Sequence, residues 1–114
     1  MRLGFVRLTS LCGFVLFAVT GLAHGQATTS LDGIITDSGN AVIPGATVTL
    51  TRTSTTTTRT TATNKNGEYQ FSQVAPGRYE LTVTSSGFAT TKKTGIELLV
   101  SQPATVNVSM RVAS

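Results

Sequence analysis

The sequence predicts an all-β protein, an antiparallel β-sandwich of seven or more short strands. Three observations lead there. Apolar and polar residues alternate with a period of two, as in Tyr69/Phe71, Tyr79/Leu81/Val83 and Ala104/Val106/Val108/Met110/Val112, which puts each set on one face of a strand. Turn clusters separate these runs at regular spacing, among them Asp37-Ser38-Gly39-Asn40, Asn64-Lys65-Asn66-Gly67, Ala75-Pro76-Gly77 and Ser101-Gln102-Pro103. After residue 27 no stretch repeats its apolar residues at helical spacing.

The chain opens with a different pattern. Arg2 and Arg7 form a basic lead, Leu8 to Ala23 is mostly apolar and uncharged, and small residues follow at Gly25 and Ala27. This predicts a secretory signal peptide over residues 1–27, cut after Ala27 or after Gly25. A spanning helix needs about 20 apolar residues, and this run is shorter and carries Thr9, Ser10, Gly13, Thr20 and Gly21. Cys12 sits inside the apolar run rather than at its end, which speaks against a lipid-modified cysteine. Residues 28–114 then form one small domain.

That domain contains no cysteine and no histidine, since Cys12 and His24 both precede the cut. No disulfide and no thiolate metal site is available to it. Seven basic residues (Arg52, Arg59, Lys65, Arg78, Lys92, Lys93, Arg111) face five acidic ones (Asp32, Asp37, Glu68, Glu80, Glu97). So small a positive balance, spread along the chain, does not indicate nucleic-acid binding.

In order, Leu31 to Thr36 reads as the first strand, with Leu31, Gly33 and Ile35 on one face. Asp37 to Asn40 turns, with Asp able to bond forward to the backbone. Pro44 has no N–H and marks a kink or bulge. Ala46 to Thr53 is the second strand, with Ala46, Val48 and Leu50 buried and Thr47, Thr49 and Thr51 solvated. Ser54 to Thr58 must turn, although it contains no Gly, Pro, Asn or Asp. Arg59 to Thr63 returns with little to bury and is a candidate edge strand, which Arg52 and Arg59 would protect by charge. Glu68 to Ser72 and Arg78 to Ser85 join across Pro76-Gly77. Phe88 starts a strand that Gly95 interrupts, and Ile96, Leu98 and Val100 resume the alternation. Ala104 to Val112 reads as one long final strand. The expected core is Ile35, Val42, Val48, Leu50, Tyr69, Phe71, Val74, Tyr79, Leu81, Val83, Leu98, Val106 and Val108.

Gly33-Ile34-Ile35-Thr36-Asp37, Gly39 and Ile43-Pro44-Gly45-Ala46-Thr47-Val48-Thr49-Leu50 resemble the opening of the carboxypeptidase regulatory-like domain. Thr63-Asn64, Gly67-Glu68-Tyr69-Gln70-Phe71, Val74, Pro76-Gly77-Arg78-Tyr79, Leu81, Val83 and Gly87-Phe88 resemble its second half. The resemblance covers residues 31–112. It implies a seven-stranded Greek-key sandwich of the transthyretin-like (prealbumin-like) kind, close to carbohydrate-binding-like folds. A signal peptide followed by such a domain resembles the N-terminus of TonB-dependent outer-membrane receptors. A receptor of that kind continues beyond the position of Ser114, so the chain is expected to be either free-standing or a shortened relative. Neither resemblance implies catalysis, because the zinc ligands of metallocarboxypeptidases belong to a separate domain.

The residues agree on that point. Ser-His-Asp and Cys-His sets are excluded after residue 27. A Ser-x-x-Lys pair is absent, since Ala62, Ala89 and Thr90 stand three residues before Lys65, Lys92 and Lys93. Asn64-Lys65-Asn66-Gly67-Glu68 resembles the start of a calcium loop, but the later oxygen ligands do not follow, and a turn is the better reading. An isopeptide cross-link would need a lysine in the first strand, and residues 28–50 contain none. Asn107-Val108-Ser109 fits a glycosylation sequon, in mid-strand. No catalytic, cofactor or metal residue is predicted. The expected function is a secreted, non-enzymatic accessory module of the periplasm, outer membrane or exterior. It would bind a protein or envelope partner, with the threonine-rich edge at Thr58–Thr63 as one route, and would meet a membrane only through a partner or receptor. The alternatives are a carbohydrate-binding module, although at least three of the four aromatics point inward, and a structural spacer.

Overall fold

The computed structural model describes residues 27–114. The expected signal peptide, residues 1–27, lies outside them apart from Ala27. Eight strands follow: β1 (Thr29–Asp37), β2 (Thr47–Arg52), β3 (Thr58–Ala62), β4 (Glu68–Val74), β5 (Gly77–Thr84), β6 (Thr91–Leu98), β7 (Ala104–Thr105) and β8 (Val108–Met110). They form two sheets. One has the order β4-β1-β7, with β8 also paired to β1. The other has the order β3-β2-β5-β6. The sandwich predicted from alternation is present, because a sheet with one apolar face must bury it against another layer.

The strands stand close to where the alternation puts them, and the core is largely the expected one. Ile35, Val48, Leu50, Tyr69, Phe71, Val74, Tyr79, Leu81, Val83, Leu98 and Val108 are all buried. Val42, at 45% exposed, is the clearest exception. Asp37 Oδ1 accepts from the N–H groups of Gly39 and Ala41, and the chain returns so that Ile43 N–H donates to Ile35 O at 3.0 Å. That bond fixes the phase of the alternation: Ile43 faces in and Val42 faces out. Val106 is only half-buried, while Leu31, Ala46 and Met110 complete the interior.

The predicted final strand is in fact two short ones. β7 and β8 both run parallel to β1, with Leu31 beside Ala104 and Ile35 beside Val108. The sandwich is therefore antiparallel except at this margin. Between the two pieces the backbone bulges over Gly33. Val106 N–H donates to Asp32 O at 2.8 Å, and the side-chain oxygen of Asn107, not a main-chain carbonyl, receives Ile34 N–H at 2.9 Å. Phe88, expected to begin a strand, makes an isolated bridge to Val112. The interruption expected at Gly95 is a bulge, where Tyr79 pairs with Ile96 but Leu81 pairs with Lys93.

Two threonines carry work that their residue type does not advertise. Thr56 closes the β2–β3 turn at φ 57°, donating its N–H to Arg52 O, which is why no turn residue marked that loop. Thr63 is buried, and its hydroxyl donates to Ile43 O at 2.7 Å and accepts from Ala46 N–H at 2.8 Å. Thr63→Val keeps the shape and orphans both backbone groups. It is expected to lower stability by about 2 kcal/mol in urea unfolding, whereas a neutral result would mean that water replaces the hydroxyl.

Candidate functional site

A free sheet edge exposes backbone N–H and C=O groups that can pair with another chain, and most proteins blunt such edges. This sandwich has four, and the hydrogen bonds show how each is treated. In the β1–β4 pair, Ile35 N–H donates to Gly67 O. The bonds to β1 therefore come from the odd-numbered residues of β4, and Glu68, Gln70 and Ser72 point theirs outward. Asn64 takes both groups of Glu68: its Oδ1 accepts the Glu68 N–H at 3.0 Å, and its own N–H donates to Glu68 O at 2.9 Å. At the other end Arg59 Nη1 donates to Ser72 O at 2.8 Å and to Gln73 O at 3.3 Å. The β4 edge is capped at both ends. The β6 edge carries Lys92, Lys93 and the bulge. The β7–β8 edge is short, broken and flanked by the Phe88–Val112 bridge.

β3 differs. Arg52 N–H donates to Thr57 O and Thr63 N–H donates to Ala46 O. Residues 57, 59, 61 and 63 thus bond to β2, and Thr58, Thr60 and Ala62 aim their N–H and C=O groups away from the sheet. No proline, bulge or charge breaks this row of three.

The two arginines expected to guard the edge do not guard it. Arg52 lies in β2, an internal strand, and its Nη2 donates to Pro76 O at 2.8 Å. Arg59 is on β3, but faces the side of β3 that looks toward β4, with its guanidinium 5.7 Å from the centre of the Phe71 ring. Sequence reasoning located the edge but missed this diversion, because the carbonyls that draw Arg59 away belong to another strand.

Beside the C-terminal end of β3 lies an open depression of about 620 Å³. Thr61 and Ala62 form one wall, and Asp32, Ile34, Asn64, Glu68, Gln70, Thr105 and Asn107 contribute polar groups and one apolar side chain. Its only charged groups are the two carboxylates, Asp32 and Glu68. Asp32 Oδ1 accepts from the Thr105 hydroxyl at 2.8 Å, and Glu68 Oε1 accepts from Asn64 Nδ2 at 3.0 Å. Of the five acids in this part of the chain, the structure brings only these two to one place. Asp37 is engaged in its turn, Glu80 sits 3.8 Å from Lys92, and Glu97 is exposed on β6.

Asn64 Oδ1 also accepts from Asn66 N–H, so the segment that resembles a calcium loop spends its side-chain oxygen on its own turn. No group of three or more potential metal-ligating side chains occurs among the described residues. Tyr79 closes the corner before β5, its hydroxyl donating to Ala75 O at 2.6 Å. Tyr69 donates to Val106 O at 2.6 Å, and burial, with the Asp32 carboxylate adding to it, lifts its phenol above the ordinary range.

The Tyr69 shift makes stability depend on alkaline pH. The unfolded chain ionises this phenol near pH 10, while the folded chain holds its proton to higher pH. The contribution is therefore complete below that value. Above it, stability falls by up to about 1.4 kcal/mol per pH unit. Urea midpoints measured between about pH 9 and 11 should fall less steeply in Tyr69→Phe than in the unaltered chain. Parallel slopes would mean that Tyr69 does not govern the loss.

The profile of the carboxypeptidase regulatory-like domain family matches residues 30–111. This chain belongs to that family. A search of curated protein sequences finds no match. Among solved structures, one chain of a type II cohesin–X-dockerin complex from Acetivibrio cellulolyticus is 24% identical, with a TM-score of 0.57 over 72% of this chain and 56% of that one. A candidate carbohydrate-binding protein from Bacteroides uniformis is 14% identical, with a TM-score of 0.60 over 74% of this chain and 41% of that one. Catechol 1,2-dioxygenase from Acinetobacter radioresistens is 13% identical, with a TM-score of 0.57 over 78% of this chain and 53% of that one. At these identities the likeness is one of fold. This chain spans between 41% and 56% of each of these longer chains, and a shared fold does not carry an activity with it.

Proposed function

We propose that this carboxypeptidase regulatory-like domain is a secreted, non-enzymatic interaction module of the cell envelope that binds a protein partner by strand addition at β3. One observation carries the reading. Of the four sheet edges among the described residues, β3 alone presents an uninterrupted, uncharged row of outward backbone groups, at Thr58, Thr60 and Ala62. In strand addition, backbone bonds supply affinity and neighbouring pockets read alternate side chains. The depression next to Thr61 suits the second role. The N-terminal pattern of Arg2, Arg7 and the apolar run supports export, and its combination with this domain supports a place at the outer membrane, in a receptor or alongside one.

Carbohydrate binding is the second reading, and the depression favours it: Asp32, Asn64, Gln70 and Asn107 offer the mixed donors and acceptors that hydroxyl groups need. It lacks an exposed aromatic face, since Tyr69, Phe71 and Tyr79 are 3%, 2% and 6% exposed. A spacer role would not require an open edge.

Thr60→Pro separates these readings. Thr60 N–H points outward, so proline removes one edge donor without removing a bond to β2. Peptides selected from a random library for binding to the unaltered chain are expected to bind the variant at least about tenfold more weakly. Binding on a glycan array that Thr60→Pro leaves intact, with no edge-dependent peptide, would favour carbohydrate instead.

A further inference from the structure

We propose that the strand received by the β3 edge is β3 of a second copy of this chain, paired antiparallel about a two-fold axis at Thr60. The proposal rests on the reading of β3 as a docking edge and adds the identity of the occupant. Its first support is register. With Thr60 opposite Thr60, Thr58 falls opposite Ala62 in both directions. Each such pair exchanges two backbone hydrogen bonds, so every outward group of the row on each copy is used. An axis at Arg59 or at Thr61 would pair only two of the three outward residues within the strand.

The second support is charge. An axis at Arg59 would set two guanidiniums opposite one another, which is destabilising. The axis at Thr60 sets Arg59 of each copy opposite Thr61 of the other. Arg59 keeps its guanidinium on the Ser72 and Gln73 carbonyls of its own copy, so this register sets no like charges opposite one another.

The third support is side-chain size. On the outer face the pairs are Thr60 with Thr60 and Thr58 with Ala62, small residues that allow two strands to approach closely, and Thr–Thr is a favourable cross-strand pair. The product joins two four-stranded sheets into a continuous sheet of eight. It is isologous and closed, so it uses up the edge instead of passing it on to a filament.

The interface is small and polar, which implies a weak dimer, dissociating on the order of 10–100 µM. Sedimentation velocity of the purified chain across that range is expected to show a monomer–dimer equilibrium, and Thr60→Pro is expected to be monomeric with an unchanged circular dichroism spectrum. Register is tested by disulfides in a Cys12→Ser background. Thr60→Cys should give a covalent dimer in air, since paired Cα atoms lie about 5.5 Å apart. Thr58→Cys should not, because the two copies of residue 58 would stand about 13 Å apart.

A monomer throughout the range with no Thr60→Cys dimer would overturn self-pairing, as would a dimer that Thr60→Pro leaves intact or a ladder of larger species that it abolishes. In each case peptides that bind the unaltered chain and not Thr60→Pro would leave the docking edge itself standing. Loss of those peptides as well would overturn both.

Discussion

Replacing Gly33 with alanine is expected to destabilise the domain by about 3 kcal/mol or more, a fall in Tm of roughly 12 °C or more. Gly33 lies in β1, the strand that β4, β7 and β8 all pair with. A Cβ placed there would stand 1.9 Å from the Val106 carbonyl oxygen, and 2.8 Å from both the Val106 carbonyl carbon and Tyr69 Cε2. Backbone atoms cannot swing aside as a flexible side chain can. The Val106 carbonyl is also the acceptor for the Tyr69 hydroxyl, and Val106 N–H holds the segment to Asp32 O. Moving it would break the first bond, strain the second and loosen β7. Gly39→Ala is the matched control, because a Cβ there meets only Asp37 Oδ1 at 3.4 Å. Thermal unfolding of both variants checks the claim. Equal and small effects would mean that β7 does not press on β1 as closely as described.

Tyr79→Ala is expected to cost about 3–5 kcal/mol, the range for a buried aromatic, whereas Tyr79→Phe should cost only about 1 kcal/mol. The two variants separate what the ring does from what the hydroxyl does. The ring is buried with Leu81 and Val83 on the inner face of β5. The hydroxyl closes the Ala75-Pro76-Gly77 corner through Ala75 O, and Arg52 braces the same corner through Pro76 O. The brace lets the corner survive loss of one bond, so phenylalanine should be tolerated. Chemical denaturation with a shared slope measures both values. A cooperative transition unmoved by Tyr79→Ala would mean that the ring is outside the core. Equal costs in the two variants would mean that the corner bond, and not burial, holds β5 in place.

Much of this molecule is legible without coordinates. Alternation at Tyr69/Phe71 and Tyr79/Leu81/Val83 located two strands and their buried faces, because a period of two is a property of the extended backbone. Asp37, Asn64, Pro76 and Gly77 marked turns through bonds or dihedral limits that reach only a few residues along the chain. The family followed from the combined spacing of these features. The weak places were those where residue type and role part company. Thr56 turns the chain without being a turn residue, and Thr63 is a buried polar anchor. Val42 looked like core until a bond between Ile43 and Ile35 set the phase of the alternation against it.

The candidate site was legible only as a location. A threonine-rich strand with little to bury had to lie at an edge, so Thr58–Thr63 could be singled out. Whether that edge was open could not be read, since Arg59 in the same strand suggested protection. The answer depends on Ser72 and Gln73, whose carbonyls draw the guanidinium off. In the same way, the depression exists because β3 of one sheet ends beside β4 of the other.

By itself, then, the sequence determined the strands, most of the turns, which residues face inward and the family, all consequences of local backbone geometry and of apolar side chains leaving water. Only the tertiary structure decided that the last strand breaks over Gly33, that Asn107 reaches Ile34 across 73 residues of chain, and that β3 is left as the one unguarded edge among the described residues. The physical reason is common to all three. Each depends on hydrogen bonds between strands distant in sequence, whose partners are chosen when the two sheets close on one another.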